Sequence, residues 1–496
     1  MLDIKGHIII CASRLCSFLK NTLKNICFFL EQIRYISIGK NGKFYGFRVK
    51  NQVLSYDSVT IDLNNTCNLR CRFCFNTFDK AHFQMSLKEF ESVLPVFDRV
   101  LPIGRYSPGI LLSCLYEPTV ANAFFEVLPR LPKSARKKVL FTTNLAAPIS
   151  SEYIRILSRA NVHHINLSIE TLKEERYGQI TGTRLYSSFM DNLSRLSGAM
   201  RSFSYHPRIY VITMALSMNM DELDDIFSFA RKKFRCYHHD IRTPYIARYS
   251  NMNWCAEQLL PDEQADILKR RLSGNPFVHT DIRSVEEFRL FEENVKNTFY
   301  EPLDDEKLSE EESKRELDFC MQEEYLFLRF DADGTVTEKA TGMKESLPEV
   351  ESAADYYYEK LKRLYDRKIN AFYCGDDWNG YEYSERIKMK VVLERRSLNE
   401  KALIIRGWYS YSNDMSKGDV CLVRTESGRY FRTYPIPENK LRTATTKKRY
   451  GFEVWVDRHA LGISSECLCL CFADSKSRTV KCRIELPYLA YGRDYE

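Results

Sequence analysis

Between residues 58 and 242 the chain alternates six apolar, strand-like segments with helix-like ones, and no other feature constrains the fold as tightly. The strand-like segments are VTIDL (59–63), GILLSC (109–114), VLFTTN (139–144), HHINLSI (163–169), IYVITMAL (209–216) and RCYHHDIR (235–242). Helical patterns lie between them over 85–100, 122–131, after Ser151, over 185–196 and from Met220; Ser86 and Glu89 have the capping-box spacing. Strands apolar throughout are buried on both faces, and strands separated by helices run parallel through right-handed crossovers. The expected fold is therefore α/β, a partial (β/α)6 barrel over residues 51–250, with its chemistry at the carboxyl ends of the strands.

The rest of the chain divides by pattern. In residues 1–50, the stretch 8–33 sets Leu15, Phe18, Leu19, Leu23, Ile26, Phe29, Leu30 and Ile33 along one helical stripe. Arg14, Lys20 and Lys24 interrupt it, so it is too charged to span a bilayer, and no small-residue cleavage site follows. Two readings stay open: a helix docked on its own protein, or an amphipathic helix lying on the inner membrane face. Residues 251–318 read as a helical connector carrying the acidic run DDEKLSEEE (304–312). Residues 319–384 open with a hairpin turning at Asp333-Gly334 and continue into a tyrosine-rich helix. From 385 to 496 the pattern is strands alone, seven of them, which implies a separate β-sandwich.

Residues 67–74 read CNLRCRFC, placing Cys67, Cys71 and Cys74 directly after the first strand. Buried packing suits most of the sixteen cysteines, including the alternating Cys467, Cys469 and Cys471 on one strand face. It does not suit a loop that also carries Asn68, Arg70 and Arg72. Sixteen cysteines in 496 residues are too few for a disulfide-stapled chain, so a reducing, cytoplasmic setting is expected. The net charge of +7 is small for this length and does not call for nucleic acid. Three thiolates match three irons of a [4Fe–4S] cluster and leave the fourth iron open to a small molecule. Zinc would need a fourth ligand, for which His82 is the nearest candidate.

The CX3CX2C pattern resembles the signature of the radical S-adenosylmethionine superfamily, and the resemblance runs over residues 58–242. It implies one cluster held by Cys67, Cys71 and Cys74, with S-adenosylmethionine on the open iron, and an electron donor such as flavodoxin or ferredoxin. Cleavage of that cofactor would yield a 5′-deoxyadenosyl radical that takes a hydrogen from the substrate. By the same resemblance Phe73 packs near the adenine. The stretch SCLYEPT (113–119) is similar to a glycine–glycine–glutamate segment in which Leu115 and Tyr116 replace the glycines. There Glu117 would face the methionyl ammonium. Asn144 ends the third strand, Ser168 and Glu170 face the ribose and amino-acid portions, and Arg184 reaches the cofactor carboxylate. Arg242 and Arg248 look toward the substrate, and no catalytic residue is assigned. The plain alternatives are that Glu117 caps the turn after Pro118, Ser168 bonds its own backbone, Arg184 is surface, and the His238–His239 pair is structural.

Cys320, RFDADGTV and Cys374 resemble the auxiliary-cluster domain called SPASM, in a degenerate form lacking the ligands for a second cluster. The C-terminal part resembles sandwich appendages of cell-surface polysaccharide enzymes, with Trp408 and Tyr411 as candidate sugar-stacking residues. Together these imply hydrogen abstraction from a sugar or polysaccharide precursor. The alternatives are modification of a ribosomally made peptide, or a non-catalytic glycan-binding scaffold.

Overall fold

A computed structural model describes residues 50–51, 53–74, 81–101, 109–121, 123–203, 206–236, 238–244, 252–286, 317–321, 325–375, 379–381, 389–411, 419–425, 427–436, 450–461, 467–474 and 479–487. The amphipathic stretch 8–33 and Arg248 lie outside them. The chain forms two compact units, Leu54–Leu364 and, in the other, Met1–Val53 with Tyr365–Glu496. No described helix is long and apolar enough to cross a membrane.

The first unit is built on one sheet. Its strands are β1 (Ser58–Ile61), β2 (Ile110–Leu112), β3 (Val139–Thr143), β4 (His164–Ser168), β5 (Arg208–Met214), β6 (His239–Arg242), β7 (Val278–Asp281), β8 (Phe327–Asp331), β9 (Thr335–Glu338) and β10 (Lys344–Ser346). They lie in the order β10-β9-β8-β1-β2-β3-β4-β5-β6-β7, parallel from β8 through β7 and antiparallel from β8 to β10. The six expected strands are all present and parallel, because Val59, Ile61, Ile110, Leu112, Phe141, Ile165 and Val211 are buried in them.

Helices cover the sheet: α1 (Leu87–Val93), α2 (Phe124–Arg130), α3 (Ala135–Lys138), α4 (Ser151–Ser158), α5 (Glu174–Thr181), α6 (Tyr186–Arg201), α7 (Leu223–Phe234), α8 (Met252–Gln258) and α9 (Asp262–Ser273). The α1 capping box forms as spaced: Glu89 N donates to Ser86 Oγ at 3.2 Å and Ser86 N to Glu89 Oε2 at 2.6 Å. Pro95 follows at once, and the chain tightens into a 3-10 turn over Leu94–Arg99.

Two boundaries differ from the sequence pattern. The connector 251–318 is not wholly helical, since β7 extends the sheet beside β6. Its alternately half-buried and exposed VHTD carries no apolar signal. The 319–384 hairpin is likewise no separate module: β8 pairs with β1, Ser58 opposite Phe327 through Ile61 opposite Phe330. The units divide between Leu364 and Tyr365, inside the helix α10 (Ala353–Phe372), and not at 384/385. The Asp333-Gly334 turn forms as expected, with Gly334 at φ +77°.

The second unit holds β11 (Asn379–Tyr381), β12 (Met389–Leu398), β13 (Ala402–Tyr411), β14 (Asp419–Arg424), β15 (Tyr430–Arg432), β16 (Tyr434–Ile436), β17 (Tyr450–Asp457), β18 (Cys467–Asp474) and β19 (Thr479–Pro487). They make two five-stranded sheets: Lys50–Asn51 with β12, β13, β17 and β16, and β11 with β19, β18, β14 and β15. The run RYFRTYPI (429–436) breaks at Thr433, where both N–H and hydroxyl donate to the Cys421 carbonyl at 3.0 Å. Its halves β15 and β16 therefore belong to different sheets. Cys469 and Cys471 pack with Leu422, Tyr430 and Val480, which makes them core residues.

Candidate active site

The carboxyl ends of β1 to β6 open into a cavity of about 620 Å³. Cys67, Cys71 and Cys74 all line it. Their loop is fixed by its backbone: Arg70 N and Arg72 N donate to the Thr181 and Ile180 carbonyls at 2.9 Å, and Cys74 N to the Cys71 carbonyl at 2.9 Å. Gly182, in the left-handed conformation at the end of α5, permits that docking. From the other side α8 covers the loop, with Phe73 and Trp254 both packed against Cys255 and Leu259 and the Arg72 guanidinium 5.9 Å from the Trp254 ring. Burial, reinforced by the nearby Glu117 charge, pushes the Cys67 thiol up to about 12. Burial likewise raises Cys71.

The turn after β3 joins this loop to Glu117. Asn144 Nδ2 donates to the Cys67 sulfur at 3.6 Å and to Asn68 Oδ1 at 3.0 Å, while Asn144 N donates to Glu117 Oε2 at 2.7 Å. Glu117 Oε1 accepts from Thr119 N at 3.0 Å and the Thr143 hydroxyl at 2.6 Å. Glu117 thus caps the turn after Pro118, as the plain alternative held, and still lines the cavity with Oε2 accepting one bond. Desolvation at 2 % exposure nonetheless raises its carboxyl, against those donors.

Two non-glycine residues hold positive φ at these ends: Ser113 at 49° after β2 and Leu145 at 54° after β3. Ser113 is pinned by its N–H to the Ile61 carbonyl (2.6 Å) and by Leu63 N donating to its Oγ (3.1 Å). Asn192 of α6 holds the Leu145 carbonyl at 3.0 Å. Leu115 and Tyr116, standing where glycines were expected, are not in that region, so the strain sits two residues earlier.

On β4, Ser168 lines the cavity, and Glu170 beyond its end accepts from Met214 N at 2.7 Å. Burial pushes the Glu170 carboxyl up to about 8. Asn219 grips the Glu170 carbonyl at 2.7 Å. Glu222 accepts from Leu172 N at 3.0 Å and pairs with Arg176 at 2.6 Å. Sequence reasoning missed Gly182, Asn192, Asn219, Glu222 and Trp254; the glycine in GTR was the one available signal among them.

Arg242 lines the cavity, its Nε on Asp240 at 2.7 Å, and Asp240 also holds His279 at 2.9 Å. Arg184 is exposed and does not line the cavity, so the structure does not bring it together with the other expected site residues. Trp408 is corrected too: at 5 % exposure in β13 its ring offers no open stacking face. Nothing is described of the Tyr411 side chain. His239 Nε2 meets the Thr213 hydroxyl at 2.8 Å inside the core, the structural role, whereas His238 lines the cavity.

Among the described residues no three His, Cys, Asp or Glu side chains converge on a single ion. A four-iron cube takes each thiolate on a different iron, so convergence on one point is not required. Two buried polar groups beside the thiols, Asn68 Nδ2 and the Tyr177 hydroxyl, have no partner among the described residues. Both suit an added cofactor.

A parallel α/β sheet with a three-thiol loop after its first strand offers the donor set for an iron–sulfur cluster with one coordination position left open. Residues 61–230 match the Radical SAM superfamily, so this part of the chain is a radical SAM domain, of the class that uses a [4Fe–4S] cluster and S-adenosylmethionine. It is 24 % identical over 186 residues to GTP 3',8-cyclase of Clostridium perfringens, covering 36 % of this chain and 52 % of that protein. It is 24 % identical over 207 residues to molybdenum cofactor biosynthesis protein 1 of Drosophila melanogaster, covering 41 % and 34 %. The chain thus spans about half the length, or less, of these curated relatives. Among solved structures, Streptococcus suis SuiB bound to precursor peptide SuiA aligns at TM-score 0.42 and 14 % identity, over 69 % of this chain and 71 % of that one.

Proposed function

We propose that the enzyme abstracts a hydrogen atom from a sugar or a polysaccharide precursor. The reading rests on the inner wall of the cavity, where Asn166, His238, Asp240 and Arg242 present hydrogen-bonding groups below the cofactor-binding strand ends. A polyhydroxylated substrate would meet hydrogen-bonding partners there. The relatives named for GTP act on a molecule that contains a sugar, which is compatible with this reading.

When bound, the cluster and S-adenosylmethionine supply an electron and, through carbon–sulfur cleavage, the hydrogen-abstracting radical. Cys67, Cys71 and Cys74 would hold the cluster, Glu117 Oε2 and Asn144 would orient the amino-acid end of the cofactor, and Ser168 and Glu170 its ribose side. Phe73, packed against Cys255 and Leu259, would exclude water from the adenine. Asp240 holds Arg242 by an ion pair, leaving the rest of its guanidinium for an anionic or hydroxyl group of the substrate.

Reduced enzyme is to be incubated with perdeuterated nucleotide sugars and the 5′-deoxyadenosine product weighed by mass spectrometry. Deuterium in that product is expected with at least one sugar. Cleavage that stays deuterium-free with every sugar, yet gains label from a deuterated peptide, overturns the sugar reading and leaves the radical chemistry intact.

A further inference from the structure

A second cavity, of about 400 Å³, opens at the carboxyl ends of β1 and β8. Asp62, Tyr116, Arg329, Asp331, Asp333 and Lys344 line it, and Tyr116 is shared with the main cavity. Asp62 is 1 % exposed. Its Oδ2 accepts from Arg329 Nη2 at 3.0 Å, while Oδ1, equally buried, receives no hydrogen bond from the described residues. A buried carboxylate oxygen without a donor is an expensive arrangement and marks a missing partner.

The surrounding charges restrict that partner. Three carboxylates face two cations, so one negative charge is in excess and an anion is repelled. Arg329 is already committed to Asp62 and, with its Nε 2.8 Å away, to Asp331. Lys344 shows what this wall accepts: its ammonium lies 2.9 Å from Asp333 and 4.0 Å from Asp331. It also stands where a divalent cation would have to bridge those two carboxylates. Burial pushes the Asp62 carboxyl up to about 7 against the pull of Arg329, as a carboxylate short of donors should behave.

We propose that this cavity is a second ligand site, for a small polar molecule bearing a primary ammonium group, with Asp62 Oδ1 as its anchor. The site is independent of which substrate the main cavity takes. Nothing in it requires the cluster.

The test is calorimetric titration of the cluster-loaded wild-type enzyme with 6-amino-6-deoxyglucose and, as the uncharged match, glucose. At about pH 8 Asp62 is ionised and a primary ammonium keeps its proton. The amino sugar should bind about tenfold or more tighter than glucose. Asp62→Asn should abolish that preference, since the amide oxygen still accepts from Arg329 but carries no charge. Lys344→Gln, at a half-exposed position, should increase the preference by removing a competing ammonium, and it serves should the Asp62 variant misfold. Equal affinity for the two sugars, no binding of either, or a preference that survives Asp62→Asn each overturns the proposal.

Discussion

Gly182 lies against the backbone of Arg70: a Cβ on Gly182 would stand 2.7 Å from the Arg70 carbonyl oxygen, and Gly182 itself holds φ +67°. The clash is with main chain, so no side chain can turn aside to relieve it. The cysteine loop therefore owes its position to a glycine more than a hundred residues downstream.

Gly182→Ala should accordingly lower stability by about 1–3 kcal/mol and reduce iron incorporation, because the Arg70 and Arg72 amides lose their seats on α5. Chemical denaturation of the apoprotein and iron analysis after anaerobic reconstitution check both. A variant with unchanged iron content would show that the loop is held by its other contacts.

Cluster stoichiometry separates the barrel site from the degenerate region. Wild-type protein should take up about four irons per chain, and Ala at Cys67, Cys71 or Cys74 should abolish uptake. Ala at Cys320, which is fully buried, or at Cys374, whose thiol donates to the Tyr430 carbonyl at 3.3 Å, should leave it nearly unchanged. Iron near eight per chain would sink this assignment.

Glu117→Gln should disturb more than cofactor binding. The new amide group would face N–H and O–H donors from Thr119, Thr143 and Asn144. Leaving one of them unmatched in the core costs about 1–3 kcal/mol. Since the Asn144 side chain touches Cys67, iron content should fall together with affinity for S-adenosylmethionine. Equilibrium dialysis with the cofactor and a melting curve give the two readouts; full stability in the variant contradicts the capping role.

Acid should weaken the barrel through its buried histidines. The Thr213 hydroxyl donates to the Ile169 carbonyl at 2.8 Å, so it accepts from His239, which places the His239 proton on Nε2. A second proton would go to the buried, unpartnered Nδ1. Burial holds His239 down at about 4 and His164 at about 2. The unfolded chain takes up these protons near 6.5, so their stability contribution is whole above that value. For His239 it is lost as pH falls through about 4. Apoprotein melting temperature should drop from pH 6.5 to 4, and His239→Gln should flatten part of the drop. A slope unchanged in the variant assigns the acid sensitivity elsewhere.

The parallel barrel and its cysteine loop were legible because two-sided burial writes apolar strands into the chain, and because three thiols in a polar loop have few other uses. Val278–Asp281 was not legible as a strand, since a half-exposed edge strand carries no apolar run. Nor was the division of β15 from β16, which depends on Thr433 meeting Cys421 and on no local preference. Glu117, Ser168 and Glu170 could be placed only through the family resemblance of the stretches that carry them. Their supports, Asn192, Asn219 and Glu222, act across about fifty residues of chain and carry no local mark. Trp408 misled because an aromatic in a strand reads alike whether its ring faces core or solvent.

The pairing of β1 with β8 has a consequence for biosynthesis. Ser58 and Phe327 are direct partners, so the strand that precedes the cysteine loop stays one-sided until the ribosome has delivered residue 331. At roughly 5–20 residues per second the gap lasts many seconds, during which the three thiols are already outside the exit tunnel but their platform is unfinished. Iron delivery that waits for the finished chain would find the loop seated, and earlier delivery would meet three reactive thiols on an open edge.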